Sequence, residues 1–156
     1  MSQENRIDQC FERLRESGKS AFVAYICACD PTMERSLEIM HALETAGADI
    51  IELGIPFSDP MADGIVNQMA AHRALEAGAN TRQVLELIRK FRETSEAPIV
   101  LFTYLNPVYT YGFSDFHNDA TAAGADGILL LDLPPEEAAI NEELAENSDL
   151  KHIRLI

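Results

Sequence analysis

Glu52 stands in the run Asp49-Ile-Ile-Glu-Leu53, a carboxylate among apolar neighbours. Enclosed in a sheet, such a group costs several kcal/mol unless it is paired or protonated. Burial raises a carboxyl's pKa, and a glutamate tuned to about 6–7 both gives and takes protons near neutrality. Neighbouring hydroxyls or backbone amides could equally satisfy it, and the pattern leaves both readings open. Asp63 closes a turn-rich loop, Gly54-Ile-Pro-Phe-Ser-Asp-Pro-Met-Ala-Asp-Gly64. An acid before glycine is an ordinary turn former, and Asp59 before Pro60 reads more readily still as one. Asp132 follows an apolar run as Glu52 does, and Tyr104 and Asn106 follow another. Singly, each is a hydrogen-bonding or packing residue; together they suggest a polar mouth over an apolar lumen.

Other chemistries lack their residues. Cys27 and Cys29 are spaced i, i+2, which places them on one face of a strand as small core residues, without a second pair to hold zinc. His41, His72, His117 and His152 are scattered without metal-ligand spacing, so no metal site is expected. Neither a Gly-x-Ser-x-Gly elbow nor a phosphate loop of the Walker type occurs.

The elements that must position these residues alternate between helical and strand-like patterns. Ile7, Cys10, Phe11 and Leu14 fall at i, i+3, i+4 and i+7, an amphipathic helix. Ala21–Cys29 is too short an apolar run for a helix and reads as a buried strand. A helix with Met33, Leu37, Met40 and Leu43 on one stripe follows, capped by Asp30 or Thr32 and ended by Gly47. Further strands are expected at Asp49–Leu53, Pro98–Thr103, Gly127–Leu131 and from His152 to Ile156. Helices are expected at Val66–Ala77, at Thr81–Phe91 with Val84, Leu85, Ile88 and Phe91 inward, and along Phe113, Phe116, Ala120 and Ala123. Another should open at Pro134-Pro-Glu-Glu137, where proline and carboxylates suit a first turn.

An internal echo supports this division. Ala46-Gly-Ala-Asp49 precedes one strand and Ala123-Gly-Ala-Asp126 another, and a carboxylate, Glu52 or Asp132, stands where each strand finishes. Repeated βα units build a parallel sheet, either a closed (β/α)₈ barrel or an open doubly wound one. A dinucleotide-binding sheet wants Gly-x-Gly-x-x-Gly after its first strand. Here that strand runs into Ala28-Cys-Asp-Pro31, which favours the barrel. A full TIM barrel takes about 250 residues, so the chain supplies roughly its first five strands, as one domain over residues 1–156.

Composition agrees with a globular protein: 47% apolar, 24% charged, 156 residues. A net charge of −14 repels phosphate backbones and anionic lipid, which argues against nucleic acid and membrane as partners. No apolar run is long enough to span a bilayer. The N-terminus has no basic start or apolar core of a secretory signal, and three cysteines do not make a disulfide framework. A cytoplasmic location is expected.

One stretch is far more specific than these patterns. The fourteen residues Ile51-Glu-Leu-Gly-Ile-Pro-Phe-Ser-Asp-Pro-Met-Ala-Asp-Gly64 resemble the signature of the tryptophan synthase alpha chain family. Asp30-Pro31, Tyr104-Leu-Asn-Pro107 and Asp132-Leu-Pro-Pro-Glu-Glu137 follow its order and intervals, from about Phe11 to Ile156. The resemblance implies a (β/α)₈ barrel that cleaves indole-3-glycerol phosphate to indole and glyceraldehyde 3-phosphate in tryptophan biosynthesis. It implies Glu52 as acid/base, Asp63 as the carboxylate binding the indole, and Tyr104, Asp132 and Phe102 as substrate contacts. No cofactor is implied for this chain. Pyridoxal phosphate belongs to the expected beta-chain partner of an α₂β₂ tetramer, which the Gly54–Gly64 loop faces.

The sequence departs from the family at several places. Cys29 replaces a usual glycine, Ile65 a usual proline, Asn67 an aliphatic pocket residue and Leu131 a common proline. The family's later strands, with its phosphate-binding glycine loops, are not in this sequence, so a fragment of a longer subunit is expected. The rival readings are a non-catalytic relative that only binds a beta-like partner, and another TIM-barrel enzyme acting on a phosphorylated small molecule.

Overall fold

The computed structural model of the chain describes residues 5–134, 139, 143 and 148–155. Five strands, β1 (Val23–Cys27), β2 (Ile50–Gly54), β3 (Ile99–Thr103), β4 (Gly127–Leu130) and β5 (Lys151–Ile153), form one sheet. Every neighbouring pair is parallel, and the strand order follows the chain. The helices are α1 (Arg6–Glu16), α2 (Met33–Thr45), α3 (Ile65–Glu76), α4 (Thr81–Arg92), α5 (Leu105–Tyr111) and α6 (Phe113–Ala123). A doubly wound sheet reverses its strand order at a switch point; this one never does, which is the winding of a barrel wall. No helix among the described residues is long and apolar enough to cross a membrane.

The two faces of the sheet carry different cores. Ile51, Leu53, Ile99, Leu101 and Ile128 face outward and pack with Met40 of α2, Val84, Leu85, Leu87, Ile88 and Phe91 of α4, and Phe116 and Ala120 of α6. Their alternates Ile50, Val100 and Leu129 face inward and meet Ile7, Cys10 and Leu14 of α1. Helix α1 therefore plugs the inner face. A Cβ on Gly127 would lie 3.0 Å from the Ile7 Cδ1, so glycine lets α1 come close. Phe11, expected on the buried stripe, is 45% exposed. The contact is narrower than the helical pattern suggested and uses only the i, i+3, i+7 positions.

The repeated Ala-Gly-Ala-Asp has one structural meaning in both copies. Gly47 and Gly124 adopt φ of +99° and +97°, the left-handed turn that ends α2 and α6. The following alanine N–H then bonds back to Leu43 or Ala120. Asp49 next donates its N–H to the Phe22 carbonyl at 2.9 Å and accepts the Phe22 N–H on its carboxylate at 2.9 Å. Asp126 does the same with Ile99, at 2.9 and 2.8 Å. Each aspartate thus clips its own strand to the start of the strand beside it. Arginines complete the clips: Arg13 lies 3.6 Å from Asp49, while Arg6 and Arg92 lie 3.0 and 2.7 Å from Asp126.

Boundaries differ from the sequence reading at identifiable points. β1 stops at Cys27, because Ala28 and Cys29 turn and Cys29 takes φ of +62°. Cys29 therefore does not share a strand face with Cys27, although both thiols are buried. Thr32, not Asp30, caps α2 by accepting the Arg35 N–H; Asp30 pairs with Arg73 through two bonds of 2.9 and 2.7 Å. Helix α5 had no periodic signal. The fifth strand begins one residue earlier than expected, at Lys151. The helix expected at Pro134–Glu137 lies outside the described residues. His152 of β5 and His117 of α6, read as scattered, stack with Nε2 atoms 3.2 Å apart.

The two aspartate clips differ in burial, with side chains 20% exposed at Asp49 and 3% at Asp126. Asp126→Asn leaves the largely enclosed Arg92, its side chain 10% exposed, without its counter-charge and is expected to cost about 3–5 kcal/mol. Asp49→Asn keeps a hydrogen-bond acceptor near solvent and should cost about 1 kcal/mol. Urea midpoints of the two variants measure the difference, and equal losses would refute the ranking.

Candidate active site

Register fixes what reaches the inner face near the carboxyl ends of the strands. Tyr25 pairs with Glu52 and Glu52 with Val100, while Cys27 pairs with Gly54 and Gly54 with Phe102. Side chains of paired residues share a face, so Tyr25, Glu52 and Phe102 line the inner face together, with Val100 level with Glu52 and Ile50 below it. The Tyr25 and Phe102 rings meet edge to face, with centroids 5.1 Å apart.

Glu52 is half-buried, and its carboxylate has no hydrogen-bond or ionic partner among the described residues. Burial alone pushes its pKa upward. An acid in that condition holds its proton more readily and is free to exchange it with whatever occupies the lumen.

Asp63 is held in the opposite manner. The Tyr104 hydroxyl donates to the Asp63 Oδ2 at 2.7 Å and accepts the Ala62 N–H at 2.9 Å. Gln68 Nε2 donates to the Asp63 carbonyl at 2.7 Å, and the Asp63 N–H bonds the Pro60 carbonyl. The loop after β2 is thereby fastened to the end of β3, and the Phe57 ring lies 5.3 Å from that of Tyr104. Burial and the bond to Asp63 push the Tyr104 phenol up to about 12, so it stays a donor. The negative charges of Asp63 and Glu52 both act on the Tyr25 hydroxyl and, after burial, help raise its pKa.

The other candidates divide. Tyr104 and Phe102 belong to this cluster. Asp132 is exposed, and its Oδ1 accepts the Leu105 N–H at the start of α5, joining the ends of β3 and β4. Asn106 lies exposed on α5 beside Thr110, and Asp59 sits in the turn that returns through Met61. Sequence reasoning passed over Tyr25, hidden in an apolar run, and Gln68. One signal was available for Tyr25: Gly54 is a glycine inside a strand, which marks a close approach. A Cβ there would collide with the Tyr25 hydroxyl and lie 2.9 Å from two ring carbons.

Tyr104→Phe removes both loop bonds while keeping the ring. It is expected to raise hydrogen exchange of the Ala62 amide about ten-fold, the worth of roughly one such bond. Unchanged exchange would show that other contacts hold the loop.

A sequence profile of the tryptophan synthase alpha chain matches residues 11–156. The chain is 49% identical over 153 residues to the tryptophan synthase alpha chain of Gluconobacter oxydans (strain 621H), covering 97% of this chain and 57% of that protein. It is 53% identical over 134 residues to that of Xanthomonas axonopodis pv. citri, covering 85% and 50%. Among solved structures, tryptophan synthase subunit alpha from Legionella pneumophila str. Paris superposes with a TM-score of 0.93 at 45% identity, over 96% of this chain and 57% of that one. The alpha-beta complex from Pyrococcus furiosus contains a chain matching with a TM-score of 0.83 at 41% identity, over 87% and 58%. The chain spans about half the length of the curated relatives it matches. With its signature loop, register and winding accounted for, the chain belongs to the tryptophan synthase alpha chain family.

Proposed function

We propose that this chain provides the acid/base end of a site that cleaves indole-3-glycerol phosphate to indole and glyceraldehyde 3-phosphate. The observation that carries the reading is Glu52: a half-buried carboxyl, raised in pKa by burial, facing the lumen with no partner among the described residues. A structural glutamate would be expected to be bonded.

The chemistry uses such a group twice. Protonation of indole C3 makes the ring an electron sink and places positive charge on its nitrogen. Removal of the proton from the hydroxyl on the adjacent chain carbon then forms the aldehyde C=O as the C–C bond breaks, and that electron pair returns to the ring. Glu52 suits both transfers, since a carboxyl poised near neutrality can give and take a proton. Asp63, anchored by Tyr104 and Gln68, suits stabilisation of the charge at nitrogen without movement of the loop. Phe102 and Tyr104 supply aromatic surface for a planar ring; Asp132, engaged with the Leu105 amide, acts on the substrate through placement of α5.

A beta-chain partner accords with the α₂β₂ assembly of the Pyrococcus furiosus relative. Met61, 84% exposed at the tip of the signature loop, is the side chain offered to it.

Three outcomes test this reading. Glu52→Gln should lower indole release about 10²–10⁴-fold. Its folded pKa is raised above the unfolded value, so its stabilising share is present below the unfolded pKa and is lost as pH rises through the folded pKa. Glu52→Gln should therefore melt higher than wild type near neutral pH, a gain that fades toward about pH 4. Retained indole release would remove Glu52 from the mechanism. Met61→Asp should weaken association with a beta chain about ten-fold or more in titration calorimetry; unaltered affinity would place the docking surface elsewhere.

A further inference from the structure

We propose that Tyr25 is a ligand-contacting residue that selects a hydroxylated chain, its phenolic O–H donating a hydrogen bond to the chain oxygen from which Glu52 removes a proton. The proposal rests on the cleavage reading above, because it needs that oxygen to sit beside Glu52.

Three observations place the hydroxyl there. Tyr25 is the register partner of Glu52 on the same face of the sheet, one strand away. Its ring is held edge to face on Phe102, and its hydroxyl stands over Gly54, the residue two beyond Glu52. Among the described residues nothing accepts a hydrogen bond from it, whereas the Tyr104 and Tyr111 hydroxyls each donate to a carboxylate, Asp63 and Asp119. A tyrosine that served only to pack on Phe102 would do so equally well as phenylalanine. A half-buried tyrosine on the inner face of the sheet, its hydroxyl without an acceptor among the described residues, has that bonding capacity left for a ligand.

The reaction gives that donor something to do. As the C–C bond breaks, the chain oxygen loses its proton to Glu52 and becomes the carbonyl oxygen of the aldehyde product. It changes from a hydroxyl into an acceptor only, and gathers negative charge on the way. A neutral O–H beside it is favoured most when that charge is greatest. Tyr25 stays protonated for the purpose: burial first, then the charges of Cys27, Asp63, Tyr104 and Glu52, hold its pKa above the usual phenol value. The hydroxyl thus acts as a donor and never competes with Glu52 as a base.

The test compares Tyr25→Phe with wild type, using the full chain with its beta partner and two probes. One is indole-3-glycerol phosphate; the other is indole-3-propyl phosphate, which lacks both chain hydroxyls. The expected result is a loss of about ten-fold or more in kcat/KM for the first, with the inhibition constant of the second changed less than two-fold. Parallel losses on both probes would make Tyr25 a packing residue and overturn the proposal, as would no loss on either. A wild-type protein that releases no indole would instead bring down the cleavage reading, and this proposal with it. Inhibition by the deoxygenated probe also reports whether the pocket survives the substitution.

Discussion

A parallel strand sends successive side chains to opposite faces, and in β2 that alternation settles where Glu52 must point. Ile51 and Leu53 are fully buried against the helices. Sliding β2 by one residue would drive a carboxylate into that apolar layer and strand two large aliphatic side chains in the lumen, each at a cost of several kcal/mol. The outward core therefore holds the carboxyl in place without touching it. The same parity carries Tyr25 and Phe102 to the inner face, so the site's membership is decided by the pleat before any polar contact is made.

Charge is treated differently at the two ends of the strands. Below, Asp49 and Asp126 are saturated by amides and arginines, and Arg92 also bonds the carbonyls of Gly124, Ser95 and Ala97. These groups hold strand to strand and α1 to the sheet. Above, Glu52 has no partner among the described residues, and Asp63 is fixed through a tyrosine rather than an arginine. A cation beside Glu52 would favour its ionised form and remove the proton exchange proposed for it.

Much of this was legible in the chain. The strands and long helices followed from apolar runs, stripes and glycine stops, since burial on one face or two imposes those periods. Glu52 could be singled out because a carboxylate in an apolar strand conflicts with its surroundings. The role proposed for Asp63 came through resemblance, because in isolation Asp-Gly reads as a turn. What stayed hidden depends on distance along the chain. Tyr104 reaches back 41 residues to Asp63, and Arg92 reaches 34 to Asp126. Local spacing cannot encode such pairs. Helix α5 was missed because seven residues are too few to show a stripe. The echo Ala-Gly-Ala-Asp was seen, yet its work as a strand clip needed the register.

The stacked imidazoles of His117 and His152 give the fifth strand an acid side. His117 donates its Nδ1–H to the Phe113 carbonyl at 2.7 Å, so when neutral it offers a lone pair at Nε2, and His152 supplies the hydrogen between them. Burial, His117 and Arg154 together depress His152 to about 4 from 6.5. The unfolded chain takes up that proton sooner than the folded one. This contact accordingly supports the fold above the unfolded value and yields as pH falls toward about 4. Acidification works on β5 through the layer between strand and helix, at a place remote from the carboxylates of the lumen.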